Sequence, residues 1–250
     1  EMSASLVGSE MCIRDRASIQ RGLYYMRGFY RLDWTYLLII LAALLSMVVS
    51  ARMNATFSKY SRVRAASGMT GTQAAQRILQ SAGIYDVQIE RVSGRLTDHY
   101  DPAHKVLRLS EAVYGSNSVA AIGVAAHECG HAVQHAQNYT PLSVRSAIVP
   151  VANIGAQLSW PLFFAGLIFS VRPLLTIGIV LFCGALVFQI VTLPVEFNAS
   201  SRALVMLEHT GILGSNEVKS TRKVLRAAAM TYVAAVSYTH LRAHETSAHL

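Results

Sequence analysis

The sequence predicts a mainly α-helical, multi-pass membrane protein that carries one small α+β unit. Three observations lead there. Apolar residues make up 52% of the 250 residues and charged residues only 14%, with a mean hydropathy of +0.35. That is too apolar and too poorly charged for an ordinary soluble domain. The apolar residues gather into runs long enough to cross a bilayer. Between the first two runs lies the only polar segment of domain size, residues 51–147.

Taken in order, residues 1–32 form a leader. Its first part, 1–16, shows no periodicity, and the tail 237–250 interrupts an apolar run in mid-course. Both strings resemble translated sequencing-adaptor read-through and are set aside from fold reasoning, as a fusion scar would be. His240, His244 and His249 go with the tail, although the first two are spaced like a metal-binding pair. The first apolar run predicts a transmembrane helix over 33–50. Residues 148–171 and 173–193 are also free of charge, with Arg172 and Pro173 between them. They predict a transmembrane hairpin over 148–193. Residues 194–226 read as an amphipathic helical segment, and 227–236 as the stump of a fourth span.

Within 51–147, Ser67 to Thr72 supply a helix start. Ala74, Ala75, Ile78, Leu79 and Ala82 recur at helical spacing, and Gly83 ends the helix. Residues 87–92 alternate and read as a strand. Asp101 to His104 form a turn, and 105–109 alternate again. The order helix, strand, strand, helix suits a compact α+β unit.

The second helix of that unit contains His127-Glu128-Cys129-Gly130-His131, an H-E-x-x-H motif. Residues four apart share one helix face, so the two imidazoles converge on one zinc ion. Glu128 then lies beside the metal, free to take a proton from a zinc-bound water whose pKa falls to about 7. Zinc in such a site needs a third protein ligand and an open position. His135 lies two turns beyond His127, a rise of about 12 Å, and cannot join the same ion. The downstream candidates are Glu196, Glu208, His209 and Glu217. Two spans separate Glu196 from the motif helix, and an even number returns the chain to the same membrane side. Glu208 sits among Leu204, Leu207 and Ile212 at amphipathic spacing and reads as a solvated face. Glu196 is the favoured candidate, which gives a metal set of His127, His131 and Glu196 for one Zn²⁺, with Glu128 catalytic.

Here the chain resembles the bacterial membrane-bound neutral zinc metallopeptidase family of the YugP type. The resemblance rests on the H-E-x-x-H motif, on Leu193-Pro194-Val195-Glu196-Phe197-Asn198-Ala199-Ser200, on Gly94 to Pro102, and on Leu142 to Ala147. It spans about residues 33–236 and implies endopeptidase activity. It also implies a zincin-like unit of gluzincin type. A more distant similarity is to heat-shock and CAAX-type membrane zinc peptidases, whose third-ligand helix reads E-x-x-A-D. Ser200 stands here where those have the Asp that orients a zinc-binding imidazole. Asn198, Ser200 and Arg202 are the residues that could take its place.

Two other readings compete. A site-2-type intramembrane protease would need an Asp ligand in a later span, and no Asp follows Asp101. A membrane scaffold or adaptor with a structural zinc would want a fourth protein ligand, and no Cys or His pair is placed to supply it. The implied partners are a peptide or protein substrate and the lipid bilayer. The excess of 22 Lys and Arg over 14 Asp and Glu lacks the aromatic-basic stripe of a nucleic-acid binder and fits flanks of membrane spans. No oligomeric state can be read.

Basic residues concentrate in 51–147 and 194–226, while the hairpin turn holds only Arg172. That places the site on the cytoplasmic face of the cell membrane, against the opposing pull of Arg21, Arg27 and Arg31. Asp98, His99 and Tyr100 read as a polar turn in preference to an oxyanion-binding group. Residues 105–109 fit either an edge strand for an extended substrate or a plain internal strand. Cys129 reads as a small packing residue, and Gln189 as a helix-packing contact.

Overall fold

The computed structural model describes residues 34–94 and 96–248, with backbone alone at 34–39, 42, 186 and 235–248. The chain divides into two units, Glu1–Ile40 and Leu41–Leu250. The described part of the first is the opening of helix α1 (Trp34–Tyr60). The elements that follow are α2 (Gly71–Ser81), β1 (Gln88–Val92), β2 (His99–Asp101), β3 (Val106–Ser110), α3 (Glu111–Tyr114) and α4 (Val119–Ala136). Three long helices complete the chain: α5 (Thr140–Ile168), α6 (Arg172–His209) and α7 (Ser215–Ala248).

Helix α2 begins where a capping box allows it. Thr70 accepts from the backbone N–H of Gln73, and the Gln73 side chain accepts from the backbone N–H of Thr70. Its apolar positions Ala74, Ala75, Ile78 and Leu79 are buried. The chain leaves through Gly83, whose φ of +72° suits glycine.

The sheet has the order β1-β3-β2. Strand β3 pairs in parallel with β1, Ile89 opposite Leu107, and antiparallel with β2, Tyr100 opposite Leu107. Of the two sequence readings of residues 105–109, the internal strand is the one found. Both sides of β3 are already paired, so neither is free for a substrate backbone. Strand β2 has only three residues, too few for alternation to register in the sequence.

Helix α4 is the centre of the core. It packs against α2, β3, α6 and α7, and fourteen of its eighteen residues are buried. Ile78, Leu107, Leu109, Ile122 and Leu207 are buried completely. Each such side chain contributes about 1.5–3 kcal/mol of apolar burial.

Helices α5 and α6 are long and apolar enough to cross a membrane. The turn between them, residues 169–171, is short enough to force them into an antiparallel hairpin. Glycines bring them close: a Cβ on Gly166 would meet the backbone N of Leu175 at 2.6 Å, and one on Gly178 would meet the backbone N of Phe163 at 3.0 Å. Helix α6 does not stop at the end of its apolar run. It crosses Pro194, which forfeits one backbone hydrogen bond, and continues to His209. The third predicted span and the start of the helical segment predicted over 194–226 are therefore one helix.

Candidate metal centre

Ser118 caps α4 by accepting from the backbone N–H of Ala121. Two turns later the helix presents His127 and His131 on one face, their ring centroids 4.9 Å apart and nearly perpendicular. Helix α6 crosses this face at Gly130. A Cβ there would stand 2.5 Å from the carbonyl oxygen of Ala199, so only glycine permits the approach. Glu196 lies one turn before Ala199 on α6, and the close crossing carries its carboxylate in between the two imidazoles.

Glu196 Oε2 lies 3.2 Å from His127 Nε2 and 3.7 Å from His131 Nε2. One ligand atom from each of the three residues falls within 4.8 Å of the others. The other carboxylate oxygen, Oε1, faces the Arg145 guanidinium at 3.3 Å. Glu196 is 3% exposed, so a buried carboxylate sits among two imidazole nitrogens and one arginine. The donor set suits zinc: two imidazoles and one carboxylate, with their free donor atoms turned toward a single point.

Each imidazole is held from behind. His127 Nδ1 meets the Ser200 hydroxyl at 3.1 Å. His131 Nδ1 meets the Gln134 amide oxygen at 3.0 Å. Gln134 is fully buried, and its amide nitrogen donates to the Val195 carbonyl and to Asn198 Oδ1, each at 2.9 Å. Arg202 Nε donates to the same Asn198 oxygen at 2.7 Å. All three residues weighed from sequence as substitutes for the missing Asp are thus engaged, Ser200 directly and Asn198 and Arg202 through Gln134. Gln134 itself was not singled out. Its one sequence signal is position: it lies three residues past His131 and one turn further along the same face.

Glu128 lines a cavity of about 140 Å³ together with His127, Glu196, Asp98, Ser200 and Tyr232. The remaining wall is apolar, from Met53, Leu96, Val124 and Leu225 among others. Burial pushes the Glu128 carboxyl up to about 7, a rise that His127 opposes and that Glu196 and Asp98 add to. A backbone hydrogen bond from Tyr100 also opposes the rise.

The other polar residues are occupied elsewhere. Asp98 accepts from the Ser110 backbone N–H at 2.7 Å and from its hydroxyl at 2.9 Å, pinning the loop to β3. The Tyr100 hydroxyl meets His135 Nδ1 at 2.9 Å, on α4 but beyond the centre. His99 lies against Thr97 and Arg108. His99 and Tyr100 belong to strand β2, so they do not form the polar turn read from the sequence, and of these three residues Asp98 is the one that lines the cavity. Glu217 accepts from the backbone N–H groups of Ala66 and Gly214, and Glu208 is exposed. The Cys129 sulfur lies 3.6 Å from the Ala75 carbonyl, and burial raises its thiol well above the usual range. The side chains of His240 and His244, and all of His249, lie outside the described residues.

A helix pair that crosses at a glycine and gathers two histidines and a glutamate beside a second, cavity-lining glutamate defines a candidate zinc-hydrolase site on a mainly helical frame with two apolar hairpin helices. The chain belongs to the family described as "Putative neutral zinc metallopeptidase", whose model matches residues 35–243. It is 48% identical over 201 residues to "Putative membrane protease YugP" of Bacillus subtilis (strain 168), covering 80% of this chain and 89% of that protein. No solved structure matches.

Proposed function

We propose that the protein is a multi-pass membrane zinc metalloendopeptidase of gluzincin type. His127, His131 and Glu196 hold one zinc ion, and Glu128 is the general base. The observation that carries this reading is the convergence of the three ligand atoms within 4.8 Å beside a cavity that Glu128 also lines. Bound zinc supplies Lewis-acid polarisation of a peptide carbonyl and an acidified water. Glu128 takes the proton from the attacking water and passes it to the amide nitrogen as the C–N bond breaks. Ser200 and Gln134 orient the two imidazoles, and Arg145 holds the outer oxygen of Glu196.

The test is Glu128→Gln. Zinc content should stay at the wild-type level while peptide hydrolysis falls by about 10²–10⁴-fold. Hydrolysis that persists in this variant, or zinc lost with it, overturns the reading.

We further propose that the site faces the cytoplasm of the cell, on the basic flanks of residues 51–147 and 194–226. A cysteine placed at Ser116 should resist a membrane-impermeant thiol reagent in intact cells and react after lysis. Labelling in intact cells would put the site outside.

A further inference from the structure

We infer that Gln134 is a positioning residue that sets which nitrogen of His131 carries the proton, and that Arg202 fixes the direction of the hydrogen-bond chain behind it. The inference rests on His131 being a metal ligand through Nε2.

A neutral imidazole has one donor and one acceptor nitrogen, and only the acceptor can ligate a metal. The partner of the other nitrogen decides between the two tautomers. For His131 that partner is the Gln134 amide, which could in principle present either end. Two neighbours remove the choice. The carbonyl oxygen of Val195 can only accept, so the Gln134 atom 2.9 Å from it is the NH₂ group. The Arg202 guanidinium can only donate, so the Asn198 atom 2.7 Å from its Nε is Oδ1. The same Oδ1 lies 2.9 Å from Gln134, which again demands the NH₂ group there. The Gln134 oxygen must therefore face His131 Nδ1, at 3.0 Å. Nδ1 donates to it, so Nε2 is the nitrogen left for the metal, 3.7 Å from Glu196 Oε2.

Full burial of Gln134 makes the arrangement hard to escape. Flipping the amide would set its oxygen against the Val195 carbonyl and Asn198 Oδ1 with no water to intervene. His127 has no such lock. Its Nδ1 meets only the Ser200 hydroxyl, which can donate or accept. The two imidazoles of one motif are thus held in different ways, one fixed as a ready ligand and one free to choose.

The decisive measurement uses the metal-free full chain with nitrogen-labelled histidine, the His131 signals assigned by difference from His131→Gln. NMR should show the proton on Nδ1; an Nδ1 without a proton in the wild type overturns the inference and needs no variant to fold. Zinc affinity by chelator competition should fall about 10- to 100-fold in Gln134→Leu. A Gln134→Leu protein with wild-type tautomer and wild-type zinc affinity also overturns it. If the wild type binds no zinc at all, the metal reading fails while the tautomer result still decides the role of Gln134.

Discussion

Helix α4 and the hairpin α5–α6 are both rich in apolar residues, yet they end in opposite surroundings. Protein covers α4: fourteen of its eighteen residues are buried. In the most apolar windows of α5 and α6, only 17% and 6% of the residues are buried. Val151, Ile154, Phe164, Val180 and Val187 all stand open on the hairpin. Apolarity decides that a helix must leave water; the neighbours decide what it enters. Helix α6 shows both outcomes in one rod. Beyond Pro194, Val195, Ala199, Ala203 and Leu207 recur every four residues and are all fully buried. Before it, Ile177, Val180, Val187 and Ile190 are exposed. The same helix that carries the apolar run delivers Glu196 to α4. Because helix rise is set at about 1.5 Å per residue, the depth of the site is tied to the hairpin.

Both regions also use glycine for close helix approach, and the strongest test of the comparison is at the centre itself. His131→Ala and Glu196→Ala should each strip zinc from the purified protein to near background, and to a similar degree. Full zinc in the Glu196 variant, read by elemental analysis, would move the third ligand elsewhere.

Gly130→Val should come next. The new side chain meets the Ala199 backbone and forces α4 and α6 apart, costing about 1–3 kcal/mol of stability. Zinc retention should fall with it, since Glu196 rides on the displaced helix. Gly166→Val overpacks the hairpin in the same way but should leave zinc content in membrane extracts near wild type. Equal zinc losses in the two variants would mean that the centre and the hairpin are one mechanical unit.

The smallest effect separates lipid from water. Val180→Lys, on the exposed face of the hairpin, should disfavour insertion by about 2.5–3.5 kcal/mol and lower the fraction that resists carbonate extraction. Val205→Lys, equally exposed on α6 but beyond Pro194, should change extraction little. If the two lysines behave alike, the boundary near Pro194 is misplaced.

Much of the site could be read from the chain because its information is local. The spacing of His127 and His131 is a property of any helix, and Glu196 follows from counting spans and from the resemblance carried by Leu193 to Ser200. The capping box at Thr70 and the burial of Ala74, Ala75, Ile78 and Leu79 follow from the same short-range rules. The family match agrees with that level of detail, a zinc metallopeptidase.

What the chain by itself determined is therefore the candidate ligand residues, the helix that carries two of them, and the apolar lengths that must leave water. Each depends on residues a turn or a span apart, where the backbone period is enough. The tertiary structure decided the rest. Strand β3 became the middle of its sheet because β2, only three residues long, claimed its other side. Ser200 went to His127, and Asn198 and Arg202 went by way of Gln134 to His131, because one glycine lets α4 and α6 meet at backbone distance. Such pairings join residues more than sixty positions apart. Their geometry exists only once both helices are packed, and no periodicity along the chain encodes it.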